Sequence, residues 1–131
     1  RMASSQRSEV YNMANFKSYT TATGSYTKTG TALVTLIAPV DVSNEDRLSF
    51  QFYNDDADSA GDVVKVWGRI GTTSGTLASA AEWTQIGDDV TVSGTTSVLK
   101  SIATTGLNYC GVTVTPATGS DNITYAMLRQ A

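Results

Sequence analysis

The stretch that decides the fold is RLSFQFYNDDADSAGDVVKVWGRI, Arg47 to Ile70. In its first part Leu48, Phe50 and Phe52 alternate with Ser49, Gln51 and Tyr53. In its last part Val64, Val66, Gly68 and Ile70 alternate with Val63, Lys65, Trp67 and Arg69. A period of two puts alternate side chains on opposite faces of a strand, so each part reads as a half-buried β-strand. Between them lies NDDADSAGD, Asn54 to Asp62, with four aspartates and one glycine in nine residues. The two strands and this connection predict an antiparallel pair.

The same signals recur on both sides. TALVTLIAPV (31–40) is apolar enough to be buried on both faces, with Pro39 as its expected end. NFKSYTTATGSYTKTG (15–30) reads as one strand, or as a hairpin turning at Gly24-Ser25. A short strand or turn is expected around Trp83, followed by strands in 88–94, 97–103, 107–116 and 122–130. About eight strands separated by Gly, Asn-Asp, Thr-Gly or Pro signals, with no helical stripe, predict an all-β antiparallel sandwich of jelly-roll type. Composition agrees. Thr and Ser make up about a quarter of the 131 residues and charged residues only 16%. Thr suits a pleated surface and Ser suits turns.

Residues 1–15 carry no sustained pattern and read as an extended N-terminal arm, with 16–131 as one sandwich domain. Arg1, Arg7, Lys17 and Lys28 against Glu9 leave the first 30 residues at +3, and the rest at −6, within a net charge of −3. Arg1 and Arg7, with Val10, Tyr11 and Met13 as apolar anchors, are the candidate assembly contacts of a basic arm meeting the acidic body of a neighbour. The acidic balance argues against nucleic acid as a partner. No run reaches the roughly 18 apolar residues of a membrane helix, and 1–18 has no apolar signal core.

The chain has no histidine and one cysteine. Ser-His-Asp and Cys-His arrangements and zinc sites therefore cannot be built, and no phosphate-loop pattern occurs. The acids cluster at turns instead of pairing across a cleft. No enzymatic activity and no cofactor are expected. Against a calcium loop starting at Asp56, the ligand positions filled by Ala60 and Trp67 fail. The loop reads as an acidic hairpin tip, with a looser cation site from Asp55, Asp56, Asp58 and Asp62 as the alternative. Cys110, alternating with Val112 and Val114, reads as a buried free thiol. Tyr53, Trp67 and Tyr109 fall on outer faces and are the candidate exposed binding aromatics.

WTQIGDDVTVSGTTS (83–97), preceded by DVVKVWGRIGTTSG (62–75), resembles the small virion proteins of tailed bacteriophages, in particular capsid decoration or cement proteins. The resemblance covers about a quarter of the chain. It implies a non-catalytic protein on the capsid surface, bound to the major capsid protein or other virion subunits. It also implies a homo-oligomer, with a trimer favoured. The alternatives are a subunit of an extracellular or tail fibre assembled by strand or arm exchange, and a carbohydrate-binding module.

Overall fold

The computed structural model describes residues 19–77 and 82–131. The assembly contacts expected at Arg1, Arg7, Val10, Tyr11 and Met13 lie outside the described residues, as does the 1–15 arm. Among the described residues the secondary structure is entirely strand: β1 (Tyr19–Thr27), β2 (Val34–Asp41), β3 (Arg47–Asn54), β4 (Asp62–Arg69), β5 (Thr84–Gln85), β6 (Val90–Val92), β7 (Thr96–Ala103), β8 (Tyr109–Thr115) and β9 (Asn122–Gln130).

These strands form two antiparallel sheets, ordered β1-β9-β3-β7 and β2-β8-β4-β5, with β6 also paired to β4. β5 pairs with Trp67 and Gly68 and β6 with Asp62 to Val64, so the two pieces share one strand position beside β4. Counted that way there are eight positions, with the first and last strands adjacent and successive strands crossing between sheets except at β4, which is followed by β5 and β6 in its own sheet. That is the jelly-roll order expected from the sequence.

The alternation read from Arg47 to Ile70 fixes the core. Leu48, Phe50 and Phe52 point inward from β3, and the two Phe rings stack with centroids 5.6 Å apart. Val64 and Val66 face them from β4, with Val112 and Val114 from β8, while Ile123 and Met127 flank them from β9, in the same sheet as β3. Each such buried side chain contributes about 1.5–3 kcal/mol. Cys110 lies in the same layer, and burial, with a further push from the Glu45 charge, raises its thiol to about 12.

One open alternative is decided and two local expectations are corrected. β1 runs straight through Gly24-Ser25 in unbroken register with β9, so there is no hairpin. Segment 31–40 is not buried on both faces: β2 pairs only with β8 and leaves Leu33, Thr35 and Ala38 exposed. Nor does Pro39 end β2, which continues to Asp41 through a register shift between Ile37 and Val40. An edge strand with a bulge tolerates a residue that cannot donate to the ladder. The apolar run misled because hydrophobicity alone does not distinguish a central strand from an edge strand.

Candidate functional site

The acidic connection is not a solvated tip. Asn54, Asp56, Ser59 and Asp62 are buried, while Asp55 and Asp58 face solvent. The cause is Lys28, which follows β1 and points its ammonium into the end of the sandwich. Its Nζ donates to Asn54 Oδ1 and to Asp62 Oδ2, both at 3.0 Å, and stands 3.9 Å from Asp56 Oδ2. The Lys28 and Asp62 side chains have no solvent exposure. A charge taken out of water requires a partner and further hydrogen bonds, and this one has both.

Each partner is itself held. Asn54 Oδ1 also accepts the Asp56 N–H at 3.1 Å, and Asn54 Nδ2 donates to Val92 O at 3.0 Å. Asp62 Oδ1 accepts the Ser59 hydroxyl at 3.2 Å and the Ala117 N–H at 2.9 Å. Asp56 accepts the Asp58 N–H at 3.0 Å and the hydroxyls of Thr118 and Ser120. The Thr118 hydrogen bond holds the Asp56 carboxyl below the usual range against the opposing effect of burial; the Asp58 amide, the Lys28 charge and Ser120 add to the lowering. Gly94 completes the enclosure, because a Cβ there would run into the Asp56 carbonyl oxygen. The end of β1, the β3–β4 loop, the β8–β9 loop and the β6–β7 link thus meet around one ammonium. Where a loose cation site would draw on Asp55, Asp56, Asp58 and Asp62, two of the four turn away and the other two serve Lys28.

The outer faces of the sheets differ. Outside the β2-β8-β4-β5 sheet, the chain folds over itself. Leu77 is buried against Gly111, where an added Cβ would stand 2.8 Å from Leu77 Cδ2. Trp83 is buried beneath Arg69, whose guanidinium lies 5.7 Å from the ring centroid and donates to Glu82 at 3.0 Å. Trp67 is half-buried on this face and its indole N–H donates to Thr113 Oγ1 at 2.9 Å. Tyr109, the cross-strand partner of Arg69, is half-buried nearby.

Outside the β1-β9-β3-β7 sheet, nothing among the described residues covers the strands. Register places Thr23 and Ser25 of β1, Thr124 and Ala126 of β9, Gln51 and Tyr53 of β3, and Ser97 and Leu99 of β7 on this face. Leu99 is 77% exposed and Tyr53 37%. A shallow depression of about 390 Å³ runs between Tyr53, Gln51, Ser97 and Thr23. The candidate aromatics are therefore split, with Tyr53 on one side of the sandwich and Trp67 and Tyr109 on the other. They form no common platform.

No family model matches the chain, and no curated protein matches it in sequence. Solved structures share its fold. The SPBc2 prophage-derived protein YomS is 13% identical over 89% of this chain and 96% of its own, with a TM-score of 0.59. A Bacillus endospore appendage, from a family of disulfide-linked pili, is 11% identical over 87% of this chain and 86% of its own, at 0.55. The cleaved adhesin domain of Lys-gingipain from Porphyromonas gingivalis is 13% identical over 86% of this chain and 89% of its own, at 0.53. At such identities the likeness is one of fold.

Proposed function

We propose that this chain is a non-enzymatic structural protein that docks on a virion shell, in the manner of a decoration or cement protein contacting the major capsid protein. The observation that supports the reading best is the asymmetry of the outer faces: one is closed by the chain's own Leu77 and Trp83, the other is covered by none of the described residues and carries Leu99 and Tyr53. Between Ser49 and Tyr53 that second face has no charged side chain, and its hydroxyls and amide can pair with a partner's backbone or side chains. The prophage origin of one solved neighbour and the pilus assembly of another accord with an assembling protein. The 1–15 arm supplies a second contact, through Arg1, Arg7, Val10, Tyr11 and Met13, to the acidic body of a neighbouring copy in a trimer.

The test is immunogold imaging of native particles with antibodies to the chain, alongside co-sedimentation of the Leu99→Asp variant. Label on shells, with co-sedimentation lost in a variant that melts like the parent, is the expected result. Label on filaments supports the strand-exchanged fibre subunit instead. A chain that stays free and binds neutral oligosaccharides through Tyr53 supports the carbohydrate module.

A further inference from the structure

We propose that Lys28 and Asn54 become joined by a covalent amide bond between their side chains, formed within the folded chain with Asp62 as the proton carrier. The lysine nitrogen sits among the groups that such a reaction needs. It lies 3.0 Å from the Asn54 carbonyl oxygen and 3.0 Å from Asp62 Oδ2, and the Lys28, Asn54 and Asp62 side chains are shut off from solvent. An amine, a carboxamide and a carboxylate thus share a dry site, and the fold holds them by three strand ends, so the reactants are already oriented. The Asn54 carbonyl is polarised by the Asp56 N–H at 3.1 Å, a donor placed where negative charge develops when the carbon is attacked. The Asn54 Nδ2, the departing nitrogen, is held apart from the lysine by its bond to Val92 O.

The step balances without an oxidant or a further reactant. The Lys28 ammonium passes a proton to Asp62 along their hydrogen bond, and the freed electron pair on Nζ attacks Asn54 Cγ. This requires the flexible lysine stem to slide from the carbonyl oxygen to its carbon, about the 1.2 Å of a C=O bond. The Nζ–Cγ bond forms, the Cγ–Nδ2 bond breaks, and ammonia leaves. Of the two protons that leave Nζ, one ends on the departing nitrogen and the other on Asp62. The buried ammonium–carboxylate pair is replaced by a neutral amide and a neutral acid, which removes two charges from a site shut off from water. The product ties the end of β1 to the end of β3 across a separation of 26 residues. In the unfolded chain the three groups are not held together and the bond does not form.

The experiment is mass spectrometry of the purified, folded full chain, read intact in denaturing acid and then after digestion with trypsin. The expected intact mass is low by one ammonia. Trypsin then fails to cut after Lys28, and a branched product joins the peptide 18–47 to the peptide 48–65. The full sequence mass, with normal cleavage after Lys28, overturns the proposal. So does an ammonia loss confined to a linear 48–65 peptide, since ring closure of Asn54 onto the next backbone nitrogen loses the same mass without a branch. Asp62→Asn keeps the shape of the side chain and removes the carboxylate; its branched product should fall to nothing. If Asp62→Asn folds and still cross-links, the role given to Asp62 is wrong. If it does not fold, the parent chain's own mass still decides whether the bond exists.

Discussion

Two segments close the sandwich from outside, and they do so by opposite physics. The Asn54–Asp62 loop is pinned by a buried ammonium and the carboxylates and hydroxyls that face it. The segment after β4, by contrast, is pinned by Leu77 and Trp83, two apolar side chains pressed onto the outer face of a sheet, with Arg69 stacked above. A charged clasp is all-or-none, because removing one member strands the other in a dry site. An apolar clasp loses stability in proportion to the volume removed. The first should respond to acid and the second should not.

Breaking the charged clasp is expected to have the largest effect. Asp62→Ala leaves Lys28 as a buried ammonium without its closest carboxylate, and without the proton acceptor that the proposed amide bond needs, and should destabilise the fold by about 3–5 kcal/mol, read by urea unfolding. A loss below 1 kcal/mol would mean that the ammonium escapes to water. Trp83→Ala tests the apolar clasp and should cost about 3 kcal/mol, because a large buried ring leaves a cavity. Leu77→Ala should follow at about 2 kcal/mol, the lower end for buried leucine, since its site against Gly111 lies at the surface of the sheet and can partly collapse. If the two apolar variants cost nothing, the segment is a passive loop and the outer face beneath it is a second docking surface. Arg69→Ala removes the stack on Trp83 and the ion pair to exposed Glu82, and should cost about 1 kcal/mol in the same measurement.

Acid separates the two clasps most sharply. The Asp56 carboxyl is held below its ordinary value in the folded chain, chiefly by Thr118. A depressed folded value means that its contribution is fully present above the unfolded carboxylate range and is lost as pH falls through the folded value. Asp56→Asn should therefore flatten the fall of stability as pH drops below the ordinary carboxylate range, whereas Leu77→Ala should shift the whole curve down without changing its shape. Unfolding series at several pH values check both.

The pattern along the chain settles much of this architecture by itself. The alternation in 47–54 and 62–69 assigns each side chain to a face, because a strand's period is local and needs no partner to define it, and it fails only at Ile70, which follows the end of β4 and is exposed. The same reasoning places Cys110 with Val112 and Val114, and the turn signals between strands give the sandwich and its eight positions. Edges are less legible: 31–40 reads as a central strand, since nothing local says how many neighbours a strand has. The aromatics Tyr53, Trp67 and Tyr109 are each placed on an outer face, but their separation onto opposite sheets depends on which strands enter which sheet.

The buried clasp was legible in its residues and not in its roles. Asp55, Asp56, Asp58 and Asp62 look alike in sequence, and a loop has no period to say which of them turns inward. That choice belongs to Lys28, which is 34 positions from Asp62, and to Thr118, 62 positions from Asp56. Likewise, the sequence offers only a short strand or turn around Trp83, and only proximity to Gly111 turns Leu77 into a cover. Local sequence determined the strands and their faces because backbone geometry repeats every two residues. The tertiary structure decided which acids are solvated and which sheet face is left open. Both depend on contacts between segments that come together only when the two sheets close.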